Sequence, residues 1–411
     1  MKKARLVLVT TLMALLVTLV IGSVQAQDTV TLVLWHAKQD AEGDALLALI
    51  EAFQVANPGI KIEQVYNPSA TIQDSFIAAA GSGEGPDMII WANDAVGQWQ
   101  PSGIIAPITD LVDDDLRAQV SDTGWGTFTY EGDIWGVPFS AKTLAFFYNK
   151  AFVPDAPQTW AEVIELSAEL AEEGVTGLAF QNGFFHSAGF LFALGGALMN
   201  DDGTAAFAPD TPGFDAMVAY LQFHQDMYNL AQDEASGVVV DGSSPNPGFQ
   251  TGTVAMVYDG VWNLAQFESD LGPDLGVAIM PALDNGEVPA LFAQSEGFYG
   301  NAKLANDEAK MAAFIEWGRF ITSVEGQTIA ATEGGLMPIN PAVQVENPNL
   351  QVFVEQFTLG TPFPNRPEMG AFWGPMGDAI SAVSDGGEDP AVAAADAYDL
   401  IAASIEEIQS K

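Results

Sequence analysis

Three tryptophans stand beside short polar residues at points where predicted elements end. Trp91 precedes Asp94, Trp262 follows Asp259, and Trp373 lies between a proline-rich loop and a helical segment. An indole face stacks on the apolar face of a pyranose ring, while carboxylates and amides hydrogen-bond its hydroxyls. Core packing is the alternative for any one tryptophan. Three of them at element ends together favour a binding site for a polyhydroxylated small molecule.

Motifs for catalysis and for metal binding are missing from the sequence. The histidines His36, His186 and His224 form no His-x-x-x-His pair, and neither a Gly-x-Ser-x-Gly elbow nor a phosphate-binding loop occurs. With 54 acidic residues, a carboxylate pair for glycoside hydrolysis can be drawn in many places, so none is distinctive. Residues 200–204 are more typical of a plain turn than of a Ca²⁺ loop. We therefore expect no metal, no cofactor and no enzyme, with a glycoside hydrolase as the enzymatic alternative.

The composition excludes several classes of partner. Of 411 residues, 13 are Lys or Arg and 54 are Asp or Glu, which gives a formal charge of −41. Nucleic acids and anionic membrane surfaces are bound by cationic patches, so neither is expected as a partner. Hydrophobic residues make up 48% of the chain, which is typical of a globular protein and not of an acidic disordered tail.

The N-terminus has the pattern of a secretory signal peptide. Lys2, Lys3 and Arg5 precede an apolar run at residues 6–21, and Ala26 ends a small-residue cleavage site. An uncleaved anchor is the alternative, but the run is short for a membrane span. We expect residues 1–26 to be removed and the protein to reach the periplasm or the exterior. The chain has no cysteine, so it is not expected to be a lipoprotein.

The elements that position these residues alternate between strands and helices. Strands are predicted at residues 29–34, 60–66 and 87–91, with amphipathic helices at 41–56 and 71–80 between them. Such alternation predicts βαβ units and a mostly parallel sheet.

The pattern resumes in the second half of the chain. A capping box at Thr159 and Glu162 predicts a helix that ends near Gly174. The remaining expected elements are strands at residues 177–181, 253–258 and 276–280, helices at 214–231, 307–322 and 391–408, and a loop at 241–248. No single linker divides the chain, which indicates two lobes joined by several crossings.

Several ordered blocks resemble the maltose/maltodextrin-binding proteins, the extracytoplasmic solute-binding components of ABC sugar importers. The block at residues 83–94 (GEGPDMIIWAND) is similar to the family's GxGPDI-xx-WAHD segment. The other blocks follow in the family's order and cover nearly all of the chain after residue 26; they lie at residues 102–109, 130–132, 136–139, 148–150, 159–162, 249–256, 259–262 and 369–373.

This resemblance implies an α/β, two-lobed periplasmic-binding-protein-like fold (type II), with a ligand cleft between lobes that close like a clamshell. It implies an N-terminal lobe of residues 27–139 plus about 284–321, and a C-terminal lobe of 140–283 plus about 322–411. Trp91 and Asp94 would bind sugar from the N-terminal lobe, and Trp262 and Trp373 from the other. Trp35 would lie near the mouth of the cleft.

The sequence departs from the family pattern at three places. Ala95 stands where the family has a sugar-binding Arg, Lys142 stands where it has a cleft Glu, and residues 182–186 align poorly with its Glu-Pro-Tyr loop. Lys142 could be a surface lysine, a donor to neutral hydroxyls, or a cation that neutralises an acidic sugar such as a uronate. The identity of the sugar stays open.

The resemblance also implies partners. We expect a carbohydrate ligand, the permease subunits of an ABC transporter and a monomeric protein. Besides the hydrolase, a polyamine-binding relative and a surface receptor that feeds a sensor are alternatives. A polyamine would require several convergent carboxylates, and Lys142 would repel it.

Overall fold

The computed structural model describes residues 29–200 and 202–410. The predicted signal peptide therefore lies outside the described residues. None of the described helices combines the length and apolar character required to cross a bilayer.

The described chain alternates between strands and helices, as predicted. The strands are β1 (Val30–His36), β2 (Ile60–Tyr66), β3 (Met88–Ala92), β4 (Thr129–Tyr130), β5 (Asp133–Ile134), β6 (Val137–Lys142), β7 (Leu144–Asn149), β8 (Thr176–Phe180), β9 (Val238–Val240), β10 (Val254–Gly260), β11 (Leu275–Ala278), β12 (Phe292–Gly300), β13 (Met337–Pro338) and β14 (Thr361–Pro362). The helices are α1 (Asp40–Ala56), α2 (Ser69–Gly81), α3 (Val96–Trp99), α4 (Asp114–Arg117), α5 (Asp122–Thr127), α6 (Trp160–Glu172), α7 (Phe184–Ala193), α8 (Pro212–Leu230), α9 (Pro247–Gln250), α10 (Leu264–Leu271), α11 (Glu308–Thr322), α12 (Val324–Gly334), α13 (Pro348–Leu359), α14 (Trp373–Ser384) and α15 (Pro390–Gln409).

Local sequence accounts for the ends of several helices. At α6 the predicted capping box is confirmed: the Glu162 amide donates to Thr159 Oγ1 at 3.2 Å, and the Thr159 amide donates to Glu162 Oε2 at 3.3 Å. The predicted loop at 241–248 runs into α9, whose first residue is Pro247 and whose cap is Asn246. Proline suits the first turn of a helix because its missing N–H has no partner there.

Two sheets organise the molecule. The first has the order β13-β6-β12-β3-β1-β2, with β14 paired to β12, and the second has the order β11-β7-β10-β8-β9. Strands β1, β2 and β3 are parallel, and so are β8, β9 and β10. Each sheet also contains antiparallel strands: β12 runs against β3 and β6, and β7 runs against β10 and β11. The α/β fold class is confirmed, but the sheets are mixed and not mostly parallel as predicted, because β12 and β7 enter their sheets in the opposite direction to their neighbours.

The chain passes between the two sheets more than once. β6 ends in the first sheet at Lys142 and β7 begins in the second at Leu144, so Thr143 alone joins them. The chain returns to the first sheet between β11 and β12. β13 also pairs in the first sheet. Its residue Met337 thus belongs to the sheet of the N-terminal lobe, although that lobe was predicted to end at about residue 321. The exact lobe boundaries stay predictions.

Both sheets are covered by apolar side chains. Phe146 and Tyr258 of the second sheet belong to a large core that also holds inward residues of α6, α8 and α14. Their neighbours Phe147 and Val257 belong to a second core, together with residues of the first sheet. Successive residues of one strand are thus buried on opposite faces of the sheet, as the pleat of a β-strand requires.

Candidate functional site

The ends of four strands meet at one cavity. β1 and β3 are parallel, and β6 runs in the same direction because both β3 and β6 are antiparallel to β12. The carboxyl ends of these three strands therefore lie at one edge of the first sheet, which is where ligands bind in α/β folds. β10 of the second sheet ends close to the end of β6. Its last residue, Gly260, pairs with Leu144, the first residue of β7, and Lys142 at the end of β6 is two residues before Leu144.

This cavity has a volume of about 230 Å³ and is bounded by both sheets' elements. Trp91 reaches it from the end of β3, and Trp262 reaches it from the 3₁₀ turn that follows β10. The two tryptophans therefore line the same cavity, each from a different side, as the resemblance implies. The lining residues are Ala37, Lys38, Glu42, Ser69, Ile90, Trp91, Ala92, Lys142, Trp262, Gln294 and Glu296.

The indole of Trp262 folds back over the backbone of Gly260. A Cβ added at Gly260 would overlap atoms of the six-membered ring of Trp262. The Asp259-Gly260-Val261-Trp262 sequence therefore needs glycine for a close approach, not for an unusual φ. On its other sides the indole lies 6.1 Å from the Phe185 ring and 5.5 Å from Lys142 Nζ, both measured to ring centroids.

Trp373 lies outside the residues that line the cavity. It begins α14, stacks on Phe363 at 5.9 Å with an interplanar angle of 18°, and meets Phe184 edge-on at 5.6 Å. Phe363 lies 6.4 Å from Phe185, which in turn contacts Trp262. We call Trp262, Phe185, Phe363 and Trp373 the aromatic wall. Phe185 and Phe363 thus connect Trp262 with Trp373. Neither phenylalanine was predicted as a site residue.

Trp35 and Asp94 do not line the cavity, although each is two residues from one that does, Ala37 and Ala92. Trp35 is half-buried in β1 and packs against the same small apolar cluster as Trp91. Asp94 follows β3 in a 3₁₀ turn, and its Oδ1 is buried with no hydrogen-bond partner. Burial raises the pKa of the Asp94 carboxyl to about 6, although the backbone amides of Asp94 and Ala95 lower it in part. An unpartnered carboxylate oxygen can accept a hydrogen bond from a ligand hydroxyl.

The floor of the cavity holds two lysines and two glutamates. Lys38 Nζ lies 2.9 Å from Glu42 Oε2 and 2.5 Å from Glu296 Oε2. Lys142 Nζ lies 3.4 Å from Glu42 Oε1 and 3.1 Å from Glu296 Oε2. We call these four residues the charge ring, because each cation contacts both anions. All four side chains are at most 13% exposed.

The ion pairs hold Lys38 and Glu42 in their charged forms. Burial alone would lower the pKa of the Lys38 ammonium, but the carboxylates of Glu296 and Glu42 outweigh it and raise that pKa. Burial would likewise raise the pKa of Glu42, and Lys142 and Lys38 instead lower it to about 2. At neutral pH both groups are therefore charged.

Lys142 is the predicted site residue whose surroundings differ most from expectation. It is 9% exposed, so it is not a surface lysine. Its ammonium is shared by Glu42 and Glu296, so it is not a free cation that awaits an acidic group. Sequence reasoning missed Lys38, Glu42 and Glu296. The only local signal was the i,i+4 spacing of Lys38 and Glu42 directly after a strand.

The two lobes also touch outside the cavity lining, at a contact that we call the rim. α3 follows Trp91 in the first lobe, and the segment at 365–371 leads to Trp373 in the second. A Cβ added at Gly97 would overlap the backbone of Arg366 and Pro367. Asn365 Nδ2 donates to the carbonyl oxygens of Thr127 and Thr129 at 3.2 and 2.9 Å. These contacts hold the rim together.

A metal site finds no support in the described part of the chain. Within residues 29–200 and 202–410, no group of three or more His, Asp or Glu side chains could hold a metal ion.

Comparisons with known proteins agree with this geometry. The family model of the bacterial extracellular solute-binding protein matches residues 37–328. A maltotriose-binding protein of Pyrococcus abyssi is 27% identical over 365 residues, which cover 85% of this chain and 77% of that protein. A maltooligosaccharide ABC transporter solute-binding lipoprotein of Streptococcus pneumoniae is 27% identical over 341 residues, which cover 79% and 78%.

A solved structure extends the likeness to three dimensions. The maltose/maltodextrin-binding domain of Bdellovibrio bacteriovorus bound to maltotriose superposes with a TM-score of 0.81 at 25% identity, covering 92% of this chain and 100% of that one. The predicted two-lobed, periplasmic-binding-protein-like fold is confirmed. Because the family model spans well over half of its length, this chain belongs to the bacterial extracellular solute-binding protein family, within which it resembles the maltodextrin-binding proteins.

Proposed function

We propose that this protein is the substrate-binding component of an ABC carbohydrate importer. It captures a sugar or oligosaccharide between its lobes and delivers it to the permease. The observation that carries the proposal is the cavity itself: Trp91 and Trp262 enter it from different sheets, above a floor rich in hydrogen-bonding groups. Apolar ring faces with convergent polar groups are the chemistry that a pyranose requires.

The relatives support a glucose oligomer as the first ligand to test. The Pyrococcus abyssi protein is named for maltotriose, and the Bdellovibrio bacteriovorus structure is bound to it. This chain has Ala95 and Lys142 where the family pattern has Arg and Glu. A panel of neutral oligosaccharides of different linkage is therefore needed besides maltodextrins.

Binding and closure are coupled because the two halves of the site belong to different lobes. Only a closed form brings Trp91 and the charge ring against Trp262, so a ligand that contacts both shifts the equilibrium toward closure by its differential affinity for the two forms. The closed surface is then what the permease recognises. Asp94 and Trp35 support the first lobe's half, and Trp373 extends the second lobe's half along the aromatic wall.

A glycoside hydrolase is disfavoured by the two carboxylates that line the cavity. A glycosidase needs one carboxyl group that stays protonated as a general acid, which requires a raised pKa. The carboxylates of the cavity, Glu42 and Glu296, both contact lysine ammonium groups, and the pKa of Glu42 is lowered. A polyamine is also disfavoured, because Lys38 and Lys142 would repel it.

The remaining properties follow from the sequence. We propose that the protein is exported through its signal peptide, acts as a monomer and is retained by enclosure in a periplasm. The lipoprotein relative of Streptococcus pneumoniae shows that anchoring differs within the family. No cysteine is present among the 411 residues to carry such a lipid.

A ligand screen tests the proposal directly. We expect maltose, maltotriose or another neutral oligosaccharide to raise the melting temperature, since a ligand that binds only the native state stabilises it. Calorimetry should then give a dissociation constant near 1 μM, about −8 kcal/mol, which permits both capture and release. A shift with spermidine and none with any sugar would contradict the proposal, and so would cleavage of a glycosidic bond during incubation.

Affinity should depend on pH through Asp94. Its carboxyl has a pKa of about 6, and its ionised form is the stronger acceptor of a hydrogen bond from a sugar hydroxyl. Ionisation falls as pH drops below this value, so affinity should be constant above pH 7 and weaken below pH 6, by at most about tenfold per pH unit. Calorimetry from pH 5 to pH 8 measures this slope.

The control for this prediction is Asp94→Asn. Other ionisable side chains line the cavity, among them Glu42 and Glu296, so a slope alone would not identify Asp94. The Asn variant should bind more weakly at pH 8 and lose most of the slope. An unchanged slope in Asp94→Asn would assign the effect to another group.

A further inference from the structure

The four charges on the floor of the cavity form a closed, alternating circuit. Going round it, the contacts are Lys38 to Glu42 at 2.9 Å, Glu42 to Lys142 at 3.4 Å, Lys142 to Glu296 at 3.1 Å, and Glu296 back to Lys38 at 2.5 Å. The formal charges sum to zero. The other described residues that line the cavity are uncharged.

The ring is assembled from distant parts of the chain. Lys38 and Glu42 belong to the loop after β1 and the first turn of α1, Lys142 ends β6, and Glu296 lies within β12. Lys38 and Glu296 are 258 residues apart. Burial of two separate charges would be costly, whereas mutual contacts of opposite charges offset that cost.

We propose that the charge ring is a specificity filter, which admits uncharged saccharides and rejects both acidic and amino sugars. The inference rests on the proposed function and adds a rule for its ligands. Lys38 and Glu296 thereby become specificity-determining residues together with Glu42 and Lys142.

Contacts within the ring explain the rejection of anions. A ligand carboxylate that approaches Lys142 also meets Glu42 and Glu296, which already lie within 3.4 Å of the same ammonium. Like charges brought together in a poorly solvated site repel strongly. An amino sugar meets the same obstacle from Lys38 and Lys142 when it approaches either glutamate.

Neutral hydroxyls fit the same groups. Each lysine ammonium has three N–H donors and contacts two carboxylates, so one donor remains for a ligand. A carboxylate offers about four lone-pair positions, more than these contacts use. One sugar hydroxyl can therefore accept from a lysine and donate to a glutamate at once, which a charged group of either sign cannot do.

The test compares three probes on the wild-type protein: maltotriose, maltotriose that ends in glucuronate, and maltotriose that ends in glucosamine. Calorimetry at pH 7.5 should show at least tenfold weaker binding of both charged probes than of maltotriose. Failure of all three to bind would count against the proposed function, and the filter, which rests on that function, would fall with it. Equal binding of the neutral and the acidic probe would overturn the filter while the proposed function stands.

Removing one charge should change the selectivity in a predictable direction. Glu42→Gln keeps the shape of the side chain and leaves the ring with a net positive charge, so the ratio of acidic to neutral affinity should rise about tenfold. Lys142→Met leaves a net negative charge and should raise the amino-to-neutral ratio instead. The double variant Glu42→Gln/Lys142→Gln is neutral again and should regain the wild-type preference.

A matched control separates the ring from the overall charge of the protein. Glu63→Gln makes the same change in net charge on the exposed Lys61–Glu63 pair, far from the cavity lining. Its selectivity should equal that of the wild type. Melting curves identify any variant that fails to fold, and Lys142→Met carries the comparison if Glu42→Gln does not fold. Unchanged ratios in a folded Glu42→Gln would overturn the filter.

Discussion

Trp262→Ala is expected to weaken the binding of maltotriose by about 100-fold, which corresponds to about 2.7 kcal/mol. The indole lines the cavity from the second lobe and lies 5.5 Å from Lys142 Nζ, so it offers a ring face to the ligand beside the charge ring. Aromatic anchors of this kind dominate binding energies because they bury large rigid surfaces. Trp262 is only half-buried, so the fold should persist. Calorimetric titration together with a melting curve measures both properties.

A second variant tests the position of the indole without removing it. Gly260→Ala places a methyl group where the ring of Trp262 now lies, so the indole must shift and affinity should fall. Gly374→Ala is the matched control, because a Cβ at that position meets no atom within 4 Å. Trp262→Ala and Gly260→Ala titration curves that both overlay the wild type would remove Trp262 from the site.

The effect of removing Trp373 on affinity should depend on the length of the oligosaccharide. Trp373 lies outside the cavity lining and is linked to Trp262 through Phe185 and Phe363. Trp373→Ala should therefore weaken a long oligosaccharide that extends along the aromatic wall more than it weakens maltose. An equal loss for both ligands would place Trp373 at the same subsite as Trp262.

Elements with a clear period could be predicted from the sequence. The first βαβ unit, the capped helix α6 and the helix α15 have apolar spacings that only one type of element satisfies, and their bounds differ from the predictions by a few residues. β12 was not predicted. It is buried along its whole length, yet it contains Gln294, Ser295 and Glu296, so neither alternation nor a continuous apolar run marks it.

The same strand explains why half of the site was missed. Trp91 lies at the end of a strand and Trp262 directly follows one, and both stand near short polar residues, a pattern that is visible locally. Glu296 lies within β12, and its partner Lys38 is 258 residues away in the sequence. A contact between such distant residues depends on the antiparallel pairing of β12 with β3 and β6, which no local pattern specifies.

Lys142 shows what a resemblance contributes and where it stops. The alignment placed this lysine in the cleft, where the structure has it. The resemblance could not indicate whether the ammonium group is paired with carboxylates, because the residue type is lysine in either case. Three-dimensional neighbours decide that question, and here they are two carboxylates.

Gly97→Ala is the second variant with a large expected effect, and it acts through closure of the cleft. Gly97 lies in α3 of the first lobe, where an added Cβ would overlap the backbone of Arg366 and Pro367 from the second. Backbone cannot yield as a flexible side chain can, so the methyl group should hold the rim apart. The closed form then loses population, and affinity for maltotriose falls by the same factor, which we expect to be about 10- to 100-fold.

Stability distinguishes this effect from damage to a core. Val96 and Trp99, which flank Gly97, pack within the first lobe's own cluster, so that cluster should survive the substitution. The melting temperature of ligand-free Gly97→Ala should therefore stay near that of the wild type. Gly377→Ala, on α14 with no atom within 4 Å of the added Cβ, is the matched control and should bind normally.

Solution scattering measures whether the loss of affinity in Gly97→Ala comes with a failure of the protein to become compact. Wild-type protein should become more compact when maltotriose is added, whereas Gly97→Ala should stay extended at ligand concentrations that saturate the wild type. Asn365→Ala removes the hydrogen bonds to the carbonyls of Thr127 and Thr129 without adding bulk, so it should weaken closure to a smaller extent. If Gly97→Ala bound maltotriose normally and compacted fully, the rim contact would not be part of closure, and the ligand contacts alone would have to hold the two lobes together.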